Sequence, residues 1–389
     1  MHLSHILNEL AEDRAGYFNA VAPPLIQASN FAFTNFEDLR EAFADEFTGA
    51  YLYSKSRNPT VDILRQKLAA LEGAEDALAL NSGSSAIYAA VVPFLKTGDH
   101  VVAVRNPYTW AWKLFDRILP RFGVETTYVD GTDVANFEAA LRPNTALMYL
   151  ESPNTLTYEL QDLRAVANLA RPRGIRTVVD NSYCSPLYQR PHALGIDLCL
   201  HSAAKYFGGH SDVIAGVVTG SEADIRHIFA HEFSNAGLTI PPFHAWLILR
   251  GLRTLDLRLR RSSETALKLV EFLKTRPEIE RVLYPFDPDF SQYELARRQM
   301  TGAGGLFTVV LKPTTYAQIE RFTFALKHFL VAVSWGGHES LVLPMAAGLN
   351  PAAFDPATER HRMIRFYAGL EDADFLLDDL RQALPLLAE

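Results

Sequence analysis

Short apolar runs alternating with amphipathic stretches set the rhythm of the chain as far as Pro241. Ala77–Leu80, His100–Val104, Ala146–Leu150 and Arg176–Asp180 are too short for helices and read as buried strands. Between them Val61, Leu64, Leu68 and Leu71 recur at helical spacing, as do Leu163, Val166, Ala167 and Ala170 behind the acidic start at Asp162. This alternation predicts an α/β fold: a mainly parallel sheet covered by helices, with ligands at the carboxyl ends of its strands. Asp180 stands at such an end. After Pro241 the pattern changes to a long helical region, Ala245–Thr275, then Leu306–Leu311 and other β-rich pieces, and a closing helix over Asp374–Leu384. A domain boundary is expected near residue 250, and neither a repeat nor a low-complexity tract is visible.

Composition narrows the class. A chain of 389 residues exceeds the size of one growing core, so two domains are expected. With 48% hydrophobic and 21% charged residues it is not a disordered chain. A net charge of −8 disfavours nucleic acid as the partner. No apolar stretch approaches a membrane span, and Glu9, Glu12 and Asp13 among the first residues do not suit a signal peptide. Cys184 and Cys199 form neither a close pair nor a zinc spacing, which fits packing residues in a reducing cytoplasm. His2-x-x-His5 lacks a third ligand nearby and reads as a mobile terminus, so no metal is expected. Gly302-Ala303-Gly304-Gly305 precedes a strand rather than following one, unlike a dinucleotide loop. Arg250, Arg253, Arg258, Arg260 and Arg261, interrupted by Asp256 and Glu264, read as a solvated or interface helix.

Chemistry-bearing residues gather around these elements. Lys205, in His201-Ser202-Ala203-Ala204-Lys205-Tyr206-Phe207-Gly208-Gly209, lies just past the expected strand Leu198–His201, where an active-site loop belongs. Alone it reads as a solvated lysine, and Asp180 alone as a cap or turn residue. Together they offer an amine for an aldehyde and a carboxylate for a protonated ring nitrogen, the pair that pyridoxal phosphate (PLP) chemistry needs. Leu80-Asn81-Ser82-Gly83-Ser84-Ser85-Ala86-Ile87 supplies a strand end, a glycine and a helix start, where free N–H groups suit a phosphate. The same segment also reads as an ordinary capped turn. Tyr108, after Asn106-Pro107, is either a stacking ring or a half-buried loop tyrosine.

From Ala22-Pro23-Pro24-Leu25-Ile26-Gln27 to Gly369-Leu370-Glu371-Asp372, these ordered motifs resemble the Cys/Met-metabolism PLP enzymes, the group of cystathionine β-lyases, γ-lyases and γ-synthases. The resemblance implies the aspartate aminotransferase-like fold type I, with a mainly parallel central sheet and a smaller α+β C-terminal domain. It implies an arm over residues 1–55 that serves the neighbouring subunit, a large PLP-binding domain over 56–250 and a C-terminal domain over 251–389. By position it makes Lys205 the Schiff-base lysine and general base, Asp180 the pyridine partner and Tyr108 the stacking ring and proton carrier. Tyr108 is weakly acidic unless a cationic site lowers its pKa. Gly83, Ser84 and Ser202 match the phosphate contacts, and Tyr53 with Lys55 those reaching the partner's phosphate. Lys55 stands where the family usually has arginine, so a forked grip becomes a point charge unless Arg57 replaces it. Ala204 departs from the family's hydroxyl residue.

Arg365 matches the arginine that grips the substrate carboxylate, with Ser334, Trp335 and Thr155 facing the substrate. Read without the resemblance, Arg365 is a solvated strand-edge arginine. Val333 stands where γ-acting cystathionine enzymes carry Glu and β-lyases Tyr, and Trp110 replaces a small residue, so recognition of the distal end is expected to differ. The activity implied is that of a PLP-dependent carbon–sulfur lyase of the trans-sulfuration type. It would eliminate a thiol from an amino acid such as cystathionine and leave ammonia and a 2-oxo acid. A γ-replacement transferase and a catalytically silent binding protein on the same fold are the alternatives. The resemblance also implies a homotetramer, a dimer of dimers with shared sites, that takes a small amino acid and neither nucleic acid nor membrane.

Overall fold

The computed structural model describes residues 1–388. One sheet holds seven strands: β1 (Asp76–Leu80), β2 (His100–Val104), β3 (Glu125–Val129), β4 (Thr145–Glu151), β5 (Arg176–Asp180), β6 (Leu198–Ser202) and β7 (Gly216–Gly220). Their order is β1-β7-β6-β5-β4-β2-β3. Neighbours from β2 to β6 pair in parallel, and β7 lies antiparallel between β1 and β6. The sheet is thus parallel apart from one strand bounded by two glycines.

These runs are apolar throughout because both faces of the sheet carry helices. Val101, Ala103, Leu147, Tyr149 and Val178 pack with Ala86, Ile87 and Ala90 of the helix Gly83–Val91. Their neighbours Val102, Val104, Met148, Leu150 and Val179 pack on the other face with the helix Leu163–Ala170. The acidic residue ahead of that helix is its cap, since the Asp162 side chain accepts from the Ala165 N–H. Asn58 caps Pro59–Glu72, with proline in its first turn and Gly73 closing it at φ 69°.

A second sheet follows: β8 (Ile279–Leu283), β9 (Leu306–Leu311), β10 (Leu330–Val331), β11 (Leu341–Pro344) and β12 (Met363–Tyr367), ordered β10-β11-β12-β9-β8. Arg365 therefore lies on an interior strand, between Leu343 and Thr308, and not at an edge. The largest core joins the two halves, bringing Tyr206 and Phe207 together with Leu255, Leu259, Phe307 and Tyr367. Among the described residues, no helix is long and apolar enough to cross a membrane. Cys184 and Cys199 are free and buried.

Two expectations change. The N-terminus is docked: His2 caps the helix Leu3–Asn8, and buried Lys67 donates to the Ile6 carbonyl at 2.9 Å while pairing with Glu12 at 3.2 Å. The helical region after Pro241 is two helices, Pro242–Leu252 and Leu255–Lys274. At the break, the Gly251 carbonyl accepts from the Thr254 N–H and from Arg258, which replaces the continuing helical bond. Gly251 is required there, because a Cβ would lie 2.4 Å from the Phe207 and Gly208 carbonyl oxygens.

Arg258 is accordingly not a solvated member of the basic run. Only 6% exposed, it donates to the Tyr206 carbonyl at 2.8 Å, to the Gly251 carbonyl at 2.7 Å and to Thr254 Oγ1 at 3.0 Å. It is a strut beneath the loop that carries Lys205. Arg258→Met leaves both buried carbonyls short of a donor, and we expect a stability loss of about 3 kcal/mol in chemical denaturation. A loss below about 1 kcal/mol would mean that the guanidinium carries little of the loop.

Candidate active site

The carboxyl ends of β2, β4, β5 and β6 open onto a cavity of about 920 Å³, closed from the other side by residues of the second sheet. The first sheet contributes Tyr108, Thr155, Asp180, Ser202 and Lys205, and the helix start at Gly83 joins them. Ser334, Trp335 and Arg365 enter from the second sheet. Residues far apart in sequence thus meet where an α/β sheet is expected to bind its ligand. Three expected residues do not line the cavity: Ser84, exposed in the first turn of its helix, and Tyr53 and Lys55.

The amine of Lys205 is held from several sides. Nζ donates to Ser334 Oγ at 2.5 Å and stands 5.6 Å from the centre of the Trp335 ring. Ser334 has φ 83°, a conformation that costs a non-glycine residue about 1–3 kcal/mol. Arg365 Nη2 donates to the Ser334 carbonyl at 3.3 Å, which helps fix that conformation. Gly336, at φ 90°, lets the same segment run against Lys205, whose backbone carbons lie 2.9 Å from where a Cβ would stand. Burial lowers the Lys205 amine to about 8, the Arg365 charge adds to the effect, and Asp180 opposes it.

Asp180 is 8% exposed and accepts from the Ser182 N–H at 2.9 Å. Burial raises its proton affinity, while Ser182, His201 and Lys205 pull the other way. Paired with it across the strand ends is Glu151, 3% exposed. Burial, and next the charge of Asp180, raise the Glu151 carboxyl to about 7. Neither carboxylate has a cation within 4.0 Å among the described residues. Glu151 closes an apolar run just as Asp180 does, and that position is its one mark in the sequence.

The Tyr108 N–H donates to Glu151 Oε2 at 2.5 Å. The Tyr108 hydroxyl is not made more acidic by a cationic site. Burial raises its pKa, Asp180 and Glu151 add to the rise, and Arg365 only opposes it. It is a neutral phenol across the physiological range.

The start of the helix Gly83–Val91 forms a cradle in the same cavity. The Ser82 side chain caps the helix Gly83–Val91 by accepting from the Ser85 N–H, and the N–H groups ahead of it point outward. A Cβ on Gly83 would stand 3.0 Å from Ser202 Oγ, and one on Gly216 would strike the Ser82 carbonyl. The two glycines let the helix start close on the Ser202 hydroxyl. A cradle of N–H and hydroxyl donors, a depressed amine and two buried carboxylates short of a cation fit a phosphorylated pyridine aldehyde. No histidine lines the cavity among the described residues. The one cluster with metal-ligand chemistry there, Glu72, Cys199 and His201, lies buried outside the cavity.

Comparison with known proteins points the same way. Residues 5–385 match the family described as Cys/Met metabolism PLP-dependent enzyme. The L-methionine gamma-lyase of Pseudomonas putida is 38% identical over 378 residues, covering 96% of this chain and 94% of that protein. Cystathionine beta-lyase MetC of Bacillus subtilis is 36% identical over 380 residues, covering 96% and 94%. The crystal structure of metB from Corynebacterium glutamicum matches with a TM-score of 0.91 at 33% identity, over 99% of this chain and 98% of that one.

A depressed amine is open to direct titration. In cofactor-free protein, acylation of Lys205 followed by peptide mass spectrometry should rise with pH around a midpoint near 8, because only the neutral amine reacts. A midpoint at the ordinary lysine value of 10.5 contradicts the burial and charge described here.

Proposed function

The chain belongs to the Cys/Met metabolism PLP-dependent enzymes, and on that premise we propose that it is a carbon–sulfur lyase whose reaction is run by Lys205 and Asp180. Its substrate is a sulfur-containing amino acid of the cystathionine type. With one water taken up, the products are a thiol, ammonia and a 2-oxo acid. The observation that carries the reading is a lysine amine lowered to about 8 in one cavity with a buried carboxylate that has no ion-pair partner.

When bound, PLP supplies an electron sink for the charge that develops on the substrate's α-carbon. The chain's own groups do the rest. Lys205 Nζ would hold the cofactor's aldehyde and would serve as the general base that moves the substrate's Cα proton. Its lowered pKa leaves a useful neutral fraction near pH 7. Asp180 keeps the proton on the ring nitrogen, since an ionised carboxylate beside a pyridinium settles both charges. Arg365 offers its fork to the substrate carboxylate, and Ser334, bonded to Lys205 and to Arg365, aligns the two. Tyr108, a neutral phenol in the cavity wall, would cover the ring and would hold the proton for the departing sulfur. Gly83 and Ser202 would hold the phosphate, while Trp335 and Thr155 would flank the substrate.

The distal end of the cavity supports a lyase that does not read a second ammonium by charge. Val333, 73% exposed, and Trp110, 49% exposed, face the opening with apolar surface. Tyr53 and Lys55 are assigned to a second copy's site, which makes a two-fold dimer the smallest active unit and a homotetramer, in the cytoplasm, the full assembly. In this reading residues 1–55 form the arm and residue 250 marks the domain boundary. Lys55 takes the place of the family's arginine. Arg57 is committed elsewhere, to Asp62 Oδ2 at 2.5 Å and to the Gly49 carbonyl at 2.6 Å.

The direct test is a panel of cystathionine, cystine, methionine and homoserine esters, scored for ammonia and the identity of the oxo acid. Release of both from a sulfur amino acid, unchanged by added cysteine or homocysteine, is the expected result; a replacement product would make the enzyme a transferase, and no product from any of them would sink the reading. Lys205→Ala should abolish the yellow band of the bound cofactor, and its persistence contradicts the assignment of that lysine.

The shared site has its own check. Tyr53→Phe should weaken cofactor binding about tenfold, the effect of one lost phosphate hydrogen bond. Unchanged affinity contradicts the sharing of sites.

A further inference from the structure

Glu151 closes β4 as Asp180 closes β5, and the two residues face one another in the parallel register. Its two oxygens are spent on backbone: Oε2 accepts from the Tyr108 N–H at 2.5 Å, and Oε1 from the Thr155 N–H at 2.8 Å. The first bond reaches across to the loop after β2, the second to the loop after β4. Both loops are walls of the cavity, one presenting the Tyr108 ring and the other the Thr155 side chain. No lysine, arginine or histidine pairs with Glu151 among the described residues. A buried carboxylate held by the main chain of two loops, with only the Thr155 hydroxyl beside them and no cation, serves the geometry of those loops.

We propose that Glu151 is a positioning residue, whose ionised carboxylate ties the Tyr108 loop and the Thr155 loop to the strand ends beside Asp180, and whose protonation releases them. The ionised group accepts at both oxygens. A proton on an oxygen turns it into a donor facing a backbone N–H, and because the proton can sit on either oxygen, each loop loses its anchor for part of the time. The sign follows from the raised pKa of about 7. The anchors are complete above it and are lost as pH falls through it. The same rise means that the ionised form is the costly one, so holding both loops opposes the burial of charge. A cation against Asp180 relieves that cost, because Asp180 is the next largest cause of the rise after burial.

The groups facing Glu151 separate its titration from others. Asp180 comes from β5, Tyr108 from the loop after β2 and Tyr149 from its own strand, and the cations of the lining are Lys205, Arg105, Arg360 and Arg365. The tyrosines are raised from their ordinary value of 10.0, and Lys205 titrates about a unit higher than Glu151. His201 acts on Asp180 from outside the lining, where it is paired with Glu72, so the Glu151→Gln variant is what assigns a transition near pH 7 to Glu151.

The inference rests on the proposed function only for where the walls lead, and its main test needs no catalysis. In wild-type protein without cofactor, amide hydrogen exchange of peptides spanning Tyr108 and Thr155 is followed by mass spectrometry and corrected for the intrinsic pH dependence. Protection of both should fall about tenfold as pH drops through 7, while peptides of β2 and β4 stay unchanged. Protection that does not change with pH overturns the proposal, whatever substrate the enzyme takes. Glu151→Gln, which offers one acceptor and one donor and cannot ionise, should leave one loop less protected at every pH, lose the pH dependence at both, and lower kcat more than it raises KM. An unaltered pH dependence of protection in that variant also overturns it.

Discussion

A carboxylate removed from water must find a positive charge or take up a proton. Asp180 and Glu151 are set side by side at the ends of β5 and β4, both buried, and each makes the other harder to ionise. The fold puts them there because parallel strands end at one level, and the loops that follow leave room for a ligand beyond them. An unrelieved pair of this kind is costly, so the cavity is organised to receive a cation. A pyridine ring that holds a proton supplies it, and the ring becomes an electron sink for the same reason. Stability and catalysis thus draw on one electrostatic arrangement.

The opposite side of the cavity solves the complementary problem for an amine. Lys205 is sunk far enough to lower its pKa, beside Arg365, yet kept in place by Ser334 from the second sheet. The second sheet is therefore part of the chemistry as well as of the core. Arg258 stiffens the arrangement from below by holding the carbonyl of Tyr206, next in sequence to Lys205. Tyr206 itself donates nothing to the cavity; its hydroxyl accepts from the Gly305 N–H and ties the loop to the start of β9. The close approach is possible because Gly304 has no Cβ, which would otherwise lie 2.0 Å from that hydroxyl.

How much of this was legible in the sequence depends on what each residue's role consists of. Strand ends are local features, so apolar runs located Asp180, and the exit of Leu198–His201 located Lys205. Glu151 carries the same mark as Asp180, but its role lies in two backbone N–H groups from different loops, which no spacing reveals. Arg258 looked solvated because it sits among exposed arginines such as Arg260; its acceptors come from residues 206 and 251, brought near by the helix break. β7 escaped notice because two glycines frame a run of three residues, too short a signal between turn formers. Tyr108 remains the weak acid it is without a cationic site, because burial and two carboxylates, one of them not singled out in the sequence, outweigh Arg365. Tyr53 and Lys55 could be singled out only by resemblance, since on their own chain they do not line the cavity.

The central claim is that Asp180 and Lys205 address opposite sides of one pyridine ring, with the carboxylate keeping its nitrogen protonated. Nitrogen-15 NMR of protein loaded with ring-labelled PLP measures that protonation directly. The account expects a pyridinium shift in the resting enzyme in mildly alkaline buffer, where a free pyridine loses its proton, and a move to the neutral shift in Asp180→Asn. A neutral ring nitrogen in the unaltered enzyme would contradict it.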